Sequence, residues 1–301
     1  MMTSMVVKQK YFILFFLIVF ACSNRDTYSS ELRTIIHRLI DNFNGDASIY
    51  FRHSSKDIEF GIDENKIYPA SSLIKIPVMV KIFDKIEKGV IDLDSVIIYQ
   101  NQSINYPHKG DGILVKYKDG ETVTIRKLLY LMTSYSDNHA SLLLQNIAGG
   151  GQAINDWLEL NGFENTRVNS GTFGREDDYN LFGWGQTSAK EMCELLRLIR
   201  EGKIISKNSS ERMYRYLSKS YWDGEALSEI PLTIQVASKQ GAINSSRSEV
   251  VFVNTKNGGY VFCILTKNQI DKSWVENNEG FELIRQVSRI LWDNIGYSQN
   301  G

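Results

Sequence analysis

Strand-like and helix-like hydropathy are segregated along this chain, and that segregation limits the folds open to it. Ala47 to Arg52 and Asp57 to Ile62 read as two extended segments around the polar turn His53-Ser54-Ser55-Lys56. Extended patterns return only late, at Thr233 to Ser238, Glu249 to Asn254 and Tyr260 to Thr266. Between them lie apolar faces at helical spacing: Leu128 to Met132, Ala140 to Ile147, Ala153 to Leu160 and Ala189 to Ile199. Helical spacing also marks Glu31 to Phe43, Ser72 to Lys88 (stopped by Gly89) and Glu282 to Ile295. The simplest packing pairs early and late strands in one antiparallel sheet, flanked by the two terminal helices, with a helical lobe inserted between the halves. The expected class is therefore α/β plus all-α. The sheet lobe would hold residues 31–70 and 224–301, and the helical lobe 71–223. A cleft between two such lobes is a common seat for a ligand.

Composition excludes several functions. Lys+Arg number 34 against 35 Asp+Glu, a net charge of -1, so no basic excess exists to collect phosphates and nucleic acid is not an expected partner. Apolar residues make up 43 %, enough with 301 residues to bury a core without a partner, which points to a monomer. His37, His53, His108 and His139 show no metal-ligand spacing, and neither metal nor cofactor is expected. Trp157, Trp184, Trp222, Trp274 and Trp292 lie in apolar patterns and read as core.

Lys8 and Lys10 precede an apolar run from Tyr11 to Ala21, and Cys22 follows. The run is shorter than the ~20 residues a spanning helix needs, and it reads as an export signal. Val19-Phe20-Ala21-Cys22 resembles a bacterial lipobox, which makes residues 1–22 a lipoprotein-type signal, Cys22 the lipidated residue and 23–30 a tether. An ordinary signal peptide with a chance cysteine is the alternative. The expected location is the periplasm, on a lipid anchor. Cys193 and Cys263 are flanked by apolar residues and read as buried thiols.

Three short motifs carry chemistry. In Pro69-Ala70-Ser71-Ser72-Leu73-Ile74-Lys75, Ser72 and Lys75 are three apart at a helix start and share a face. A serine hydroxyl needs a base, and a lysine whose pKa is lowered by burial or a neighbouring cation supplies one. Alone, the pair reads as a helix N-cap serine and a surface lysine. Ser136-Asp137-Asn138 lies between two helical stretches, where a hydroxyl could relay a proton and an asparagine bind an amide, or where all three simply cap a helix. Ser238-Lys239-Gln240-Gly241-Ala242 ends a strand pattern, a place for a substrate backbone to approach or for a plain turn.

In this order the three motifs resemble the S-x-x-K, S-D-N and K-T-G set of the penicillin-recognising serine hydrolases, and most of all class A β-lactamases. Gly112-Ile113-Leu114, Thr122-Val123-Thr124-Ile125 and Gln186-Thr187-Ser188 also look like that family's landmarks, so the likeness covers about residues 31 to 295. It implies a β-lactamase/transpeptidase-like fold and a serine hydrolase that opens the β-lactam ring of penicillins and cephalosporins. A penicillin-binding DD-peptidase or transpeptidase, or a slowly deacylating sensor of β-lactams or cell-wall peptides, would share the same centre. The resemblance makes Ser72 the acylated nucleophile, Lys75 its proton acceptor and Ser136 the donor to the leaving nitrogen. Asn138 would hold the substrate amide, and Lys239, Gln240 and Gly241 would line the carboxylate side. The backbone N–H groups of Ser72 and Ala242 would form the oxyanion hole. Arg247 is either a second carboxylate anchor or a salt-bridge partner of Glu249.

The chain departs from the family in two places. Gln240 stands where K-T-G has threonine, a longer amide that still donates a hydrogen bond. The deacylating glutamate of T-R-L-D-R-x-E-x-x-L-N has no clean match in Thr166-Arg167-Val168-Asn169-Ser170-Gly171-Thr172. A gapless register puts Thr172 there, whereas Glu176, four residues on, keeps an E-x-x-aromatic-N pattern and is the candidate base.

Overall fold

The computed structural model describes residues 29–100, 112–256 and 258–296. The segment 1–22, Cys22 itself, most of the tether and His108 lie outside the described residues. Helix α1 covers 29–41, so it begins within the expected tether. It leads into β1 (Asp46–His53) and β2 (Glu59–Ile62), a hairpin as the alternation predicts. The late strands are β8 (Val236–Ile243), β9 (Ser246–Val253) and β10 (Tyr260–Lys267), and the chain closes on α9 (Glu279–Leu291) and a π turn, Trp292–Gly296. Together they form one antiparallel five-stranded sheet, in the order β2-β1-β10-β9-β8. β1 pairs with β10 from Asp46↔Lys267 to His53↔Tyr260, which joins the two ends of the chain.

Period-two alternation sends β9 side chains to two cores. Val251 and Val253 pack with Leu32 and Ile36 of α1 and Leu283, Ile284, Val287 and Leu291 of α9. Val250 and Phe252 face the other way, into the core shared with the helices. Those are α2 (Lys75–Glu87), α3 (Ile125–Ser134), α4 (Asn138–Ala148), α5 (Gly150–Leu160), α7 (Ala189–Arg200) and α8 (Lys207–Leu217). α7 reads from sequence as part of the helical block, yet it lies against β1, β9 and β10. Cys193 on it donates to the Tyr50 carbonyl at 3.4 Å, and both Cys193 and Cys263 are buried free thiols.

Short strands pin the remaining segments. β3 (Tyr68–Pro69), β6 (Arg167–Val168) and β7 (Gly185–Thr187) form one small sheet, and β4 (Val96–Ile98) and β5 (Thr122–Thr124) another. Helix α6 (Glu176–Phe182) sits in the loop between β6 and β7 and buries none of its residues.

The expectation for the tryptophans needs correction. Trp157 and Trp292 are buried, but Trp222 and Trp274 are 47 % and 61 % exposed. Each indole is held at one edge instead, Trp222 by donating to the Tyr135 carbonyl at 3.1 Å and Trp274 to Asn244 Oδ1 at 3.3 Å.

Candidate active site

The expected helix from Ser72 begins instead as a 3-10 turn, Ser71–Ile74, which tightens into α2 at Lys75. Pro77 falls in the first turn of α2, where its missing N–H has no intrahelical partner. α2 is buried on nearly every side, from Ile76 to Phe83, so it acts as the axis of the helical block. Burial extends to Lys75, which has no exposed surface, and so the surface-lysine reading of S-x-x-K fails. Ser71, next to the nucleophile candidate, takes a positive φ of 48°, a strained setting for a residue with a Cβ.

The α3–α4 loop supplies the second motif, and its three residues divide two jobs. Asp137 is structural. Its Oδ1 accepts from Ala140 N at 2.9 Å and caps α4, while Oδ2 accepts from Ile113 N at 2.6 Å and Leu114 N at 2.9 Å. Gly112 must lack a side chain here, since a Cβ would lie 2.6 Å from Asp137 Oδ2. With Asp137 fixed, Ser136 (φ 59°) and Asn138 are turned toward α2. Lys75 Nζ lies 2.5 Å from the Ser136 carbonyl oxygen, 3.0 Å from Ser136 Oγ and 2.8 Å from Asn138 Oδ1.

The third motif lies inside β8 rather than at its end. β8 continues through Ile243 because its inner edge pairs with β9, leaving its outer edge toward the cleft. Gly241 is pressed against the turn that begins α2. A Cβ there would lie 2.7 Å from Ser72 N and 2.9 Å from Ser71 Cβ, so only glycine lets strand and turn meet. Lys239 Nζ reaches Ser136 Oγ at 3.0 Å, the Gln240 carbonyl at 2.8 Å and Gln240 Oε1 at 3.1 Å. One hydroxyl is thus bracketed by two lysines drawn from separate elements.

Both lysines are buried, at 0 % and 2 % exposure. Desolvation, reinforced by the charge of Lys239, drives Lys75 well below the ordinary lysine range, with Asp137 opposing. Desolvation also brings Lys239 down to about 7, against the pull of Glu249 and Glu225. A neutral Lys75 amine has two N–H groups for the Ser136 carbonyl and Asn138, and one lone pair for a hydroxyl proton. The Lys239 ammonium has three N–H groups for its three oxygens. The arrangement can therefore pass a proton along Lys75, Ser136 and Lys239 while keeping a cation at the cleft edge.

The structure brings Ser72, Lys75, Ser136, Asn138, Lys239, Gln240, Gly241 and Ala242 to this junction. Two expected residues are elsewhere. Arg247 pairs with Ala242 but alternates with Val250, so it projects from the α9 face of β9. There its guanidinium is stacked between Trp274 and Phe281, each 4.6 Å from the ring centre, and donates to the carbonyls of Ile243, Ser246 and Ser273. It is fully buried and anchors neither a carboxylate in the cleft nor Glu249. Glu176 opens α6 on the exposed side, its carboxylate accepting from Gly174 N at 3.3 Å. It borders a depression with Asn169, Phe173 and Tyr179. Thr172 is buried and donates to Val168 O at 3.0 Å, against Gly151. The hydrogen-bond partners of Lys75 are Ser136 and Asn138 rather than either candidate for the deacylating base, and loop 169–175 is held by Gln145 of α4 at Ser170 and lies against Gly151 of α5 at Thr172.

Sequence reasoning missed two carboxylate brackets. Glu191 gathers the N–H groups of Glu164, Asn165 and Thr166 and the Thr166 hydroxyl at 2.7 to 2.8 Å, which fixes the start of the β6 loop. Glu249, buried behind β8, accepts from Ala226 N at 2.9 Å. A glutamate in a fully buried strand was the available signal for the second.

Comparison with known proteins agrees with this geometry. The profile described as the Beta-lactamase enzyme family matches residues 31–295. Beta-lactamase VEB-1 of Pseudomonas aeruginosa is 21 % identical over 289 residues, covering 93 % of this chain and 94 % of its own. Extended-spectrum beta-lactamase PER-1 of the same organism is 25 % identical over 178 residues, 58 % of this chain and 57 % of its own. Among solved structures, TLA-1 extended-spectrum beta-lactamase superposes with a TM-score of 0.79 at 17 % identity, over 89 % of this chain and 99 % of its own. A mutant of PBP-A, solved as an acyl-enzyme complex with penicillin G, superposes with a TM-score of 0.78 at 24 % identity, over 89 % and 97 %.

Proposed function

The chain belongs to the beta-lactamase enzyme family, and from that footing we propose that it is a serine hydrolase opening the β-lactam ring of penicillins and cephalosporins through an ester on Ser72. The observation that carries the reading is the Lys75–Ser136–Lys239 chain, with 3.0 Å on each side of the Ser136 hydroxyl, set beside the Ser72–Gly241 contact. Ser72 Oγ attacks the lactam carbonyl and gives its proton to the Lys75 amine. The negative charge on the carbonyl oxygen is met by the N–H groups of Ser72 and Ala242. The C–N bond then breaks, and the nitrogen takes the Ser136 proton, which Lys75 replaces. Lys239 and the Gln240 amide hold the substrate carboxylate, and Asn138 serves both Lys75 and the substrate amide.

One observation favours a second reading, a cell-wall DD-peptidase or transpeptidase, or a slowly deacylating sensor. Hydrolysis of the ester needs a base for water, and Glu176 stands on the exposed side of its loop. A chromogenic cephalosporin separates the readings. Sustained turnover, lost in Ser72→Ala, supports the hydrolase. A single burst with a stable adduct on Ser72 supports the slow acyl-enzyme. Absence of both defeats the whole assignment. The geometry predicts that Glu176→Gln leaves deacylation unchanged.

The proposal extends to cell placement. Residues 31–301 form the catalytic unit, a monomer exported behind the 1–22 signal and held at the periplasmic membrane through lipid on Cys22. The positive residues, apolar run and lipobox-like tetrapeptide at the start of the chain support it. Labelling with a radioactive fatty acid, lost in Cys22→Ala, tests it.

A further inference from the structure

Trp222 and Trp274 stand exposed, and the reaction above uses neither. Both line one pocket of about 440 Å³, together with Gln240, Ala242, Phe281 and Arg285. The pocket lies between β8, the end strand of its sheet, and the first turns of α9. It therefore shares two residues with the reaction centre, Gln240 on the carboxylate side and Ala242 at the oxyanion position. Gln240 joins the two spaces, since its Oε1 accepts from Lys239 Nζ at 3.1 Å. Both indoles are held in place. Trp222 donates to the carbonyl of Tyr135, the residue before Ser136, at 3.1 Å, and the Tyr221 ring meets it edge-on at 5.1 Å. Trp274 donates to Asn244 Oδ1 at 3.3 Å and rests on the buried Arg247 guanidinium, 4.6 Å from its ring centre. Walls fixed in this way lose little freedom when a flat group docks against them. Arg285 is already engaged, by Glu282 at 2.8 Å and by the carbonyls of Gly224 and Glu276, so the pocket offers ring faces rather than a free cation.

We propose that this pocket is a subsite for the substituent a cephalosporin carries beside its carboxylate, and that Trp222 and Trp274 make it prefer a flat aromatic group there. The inference rests on the β-lactam reading above and on the substrate orientation it gives. With the lactam carbonyl at Ala242 and the carboxylate at Lys239 and Gln240, the bound ring spans residues 239–242. The group next to the carboxylate then lies against Gln240, where the pocket begins. In a cephalosporin the ring carbon beside the carboxylate-bearing carbon holds the variable substituent. In a penicillin the corresponding carbon holds two methyl groups, too small to reach between the rings. An aromatic substituent stacks on an indole face and gains more than its buried area alone supplies.

The test measures acylation efficiency, which reads the subsite whether the ester is then hydrolysed or trapped. Two cephalosporins with the same acyl side chain are compared, one with a phenylvinyl group beside the carboxylate and one with a methyl group. Trp222→Ala and Trp274→Ala should each lower the phenylvinyl-to-methyl ratio of efficiencies by about three- to tenfold from wild type, the worth of one ring stack. Comparing ratios cancels both the intrinsic reactivity of the two compounds and the folded fraction of each variant, so a poorly folding variant still reports. Trp222→Phe gives up the bond to Tyr135 but keeps a ring, and should retain most of the wild-type ratio. A ratio that either alanine variant leaves unmoved, or that falls as far in Trp222→Phe as in Trp222→Ala, overturns the subsite while the β-lactam reading stands. A wild type that neither compound acylates defeats that reading, and the subsite with it.

Discussion

Ser136 is the residue on which the chemistry turns, because one hydroxyl meets both lysines. It accepts from the Lys239 ammonium and donates to the Lys75 amine, which gives opposite pH dependences to the two sides. Lys75 is lowered by burial, so the neutral base is present above its shifted pKa and is lost as pH falls through it. Lys239 titrates at about 7, so the cation that attracts a substrate carboxylate is lost as pH rises past that value. Acylation efficiency should therefore follow a bell, measured by stopped-flow with a chromogenic substrate. Lys239→Ala should weaken binding of carboxylate substrates by roughly ten- to a hundredfold, the worth of a charge-assisted hydrogen bond, and flatten the alkaline limb. The pairing of Ser72 with Lys75 was legible in the sequence because helical spacing puts residues three apart on one face. The suppression of both lysine charges was not, since desolvation depends on segments far along the chain.

At the scale of elements, the site is a junction of the α2 turn, the α3–α4 loop and edge strand β8. Gly241 is the point where strand and turn touch, and a Cβ would sit 2.7 Å from Ser72 N. Gly241→Ala should push β8 away from the oxyanion position and slow acylation by about a hundredfold, the effect of losing one donor, with little change in melting temperature. Asp137 holds the loop, with three backbone N–H groups on its two oxygens. Asp137→Ala would leave those donors without partners and should cost roughly 2–4 kcal/mol in urea unfolding, with acylation falling in parallel. The capping reading of Ser136-Asp137-Asn138 and the catalytic one thus both hold, on different residues of the tripeptide. The third motif was found at the right place but given the wrong setting. Its polar residues look like a strand end, yet they lie mid-strand because the pairing of β8 with β9 runs on to Ile243↔Ser246.

Across the whole molecule, the sheet separates two cores, and the site lies at the border of only one. Leu291 is fully buried in the α1–α9 core, on the side away from the cleft. Leu291→Ala should therefore cost about 3 kcal/mol of stability by denaturant unfolding, while the folded fraction acylates at the normal rate. What the sequence determined by itself was local: hydropathy periods gave the helices and strands and their segregation, and motif order gave the family and the Ser72, Lys75, Ser136 and Lys239 quartet. Periodicity states which residues share a face, but not which face meets which partner. The tertiary structure alone decided that Arg247 is turned to α9, that Glu176 opens outward, and that Trp222 and Trp274 stay exposed. It also decided that Glu249 is buried, with its carboxylate accepting from Ala226 N. Each of these outcomes depends on contacts between residues tens to hundreds of positions apart, where burial and charge are set by packing rather than by neighbours in the chain.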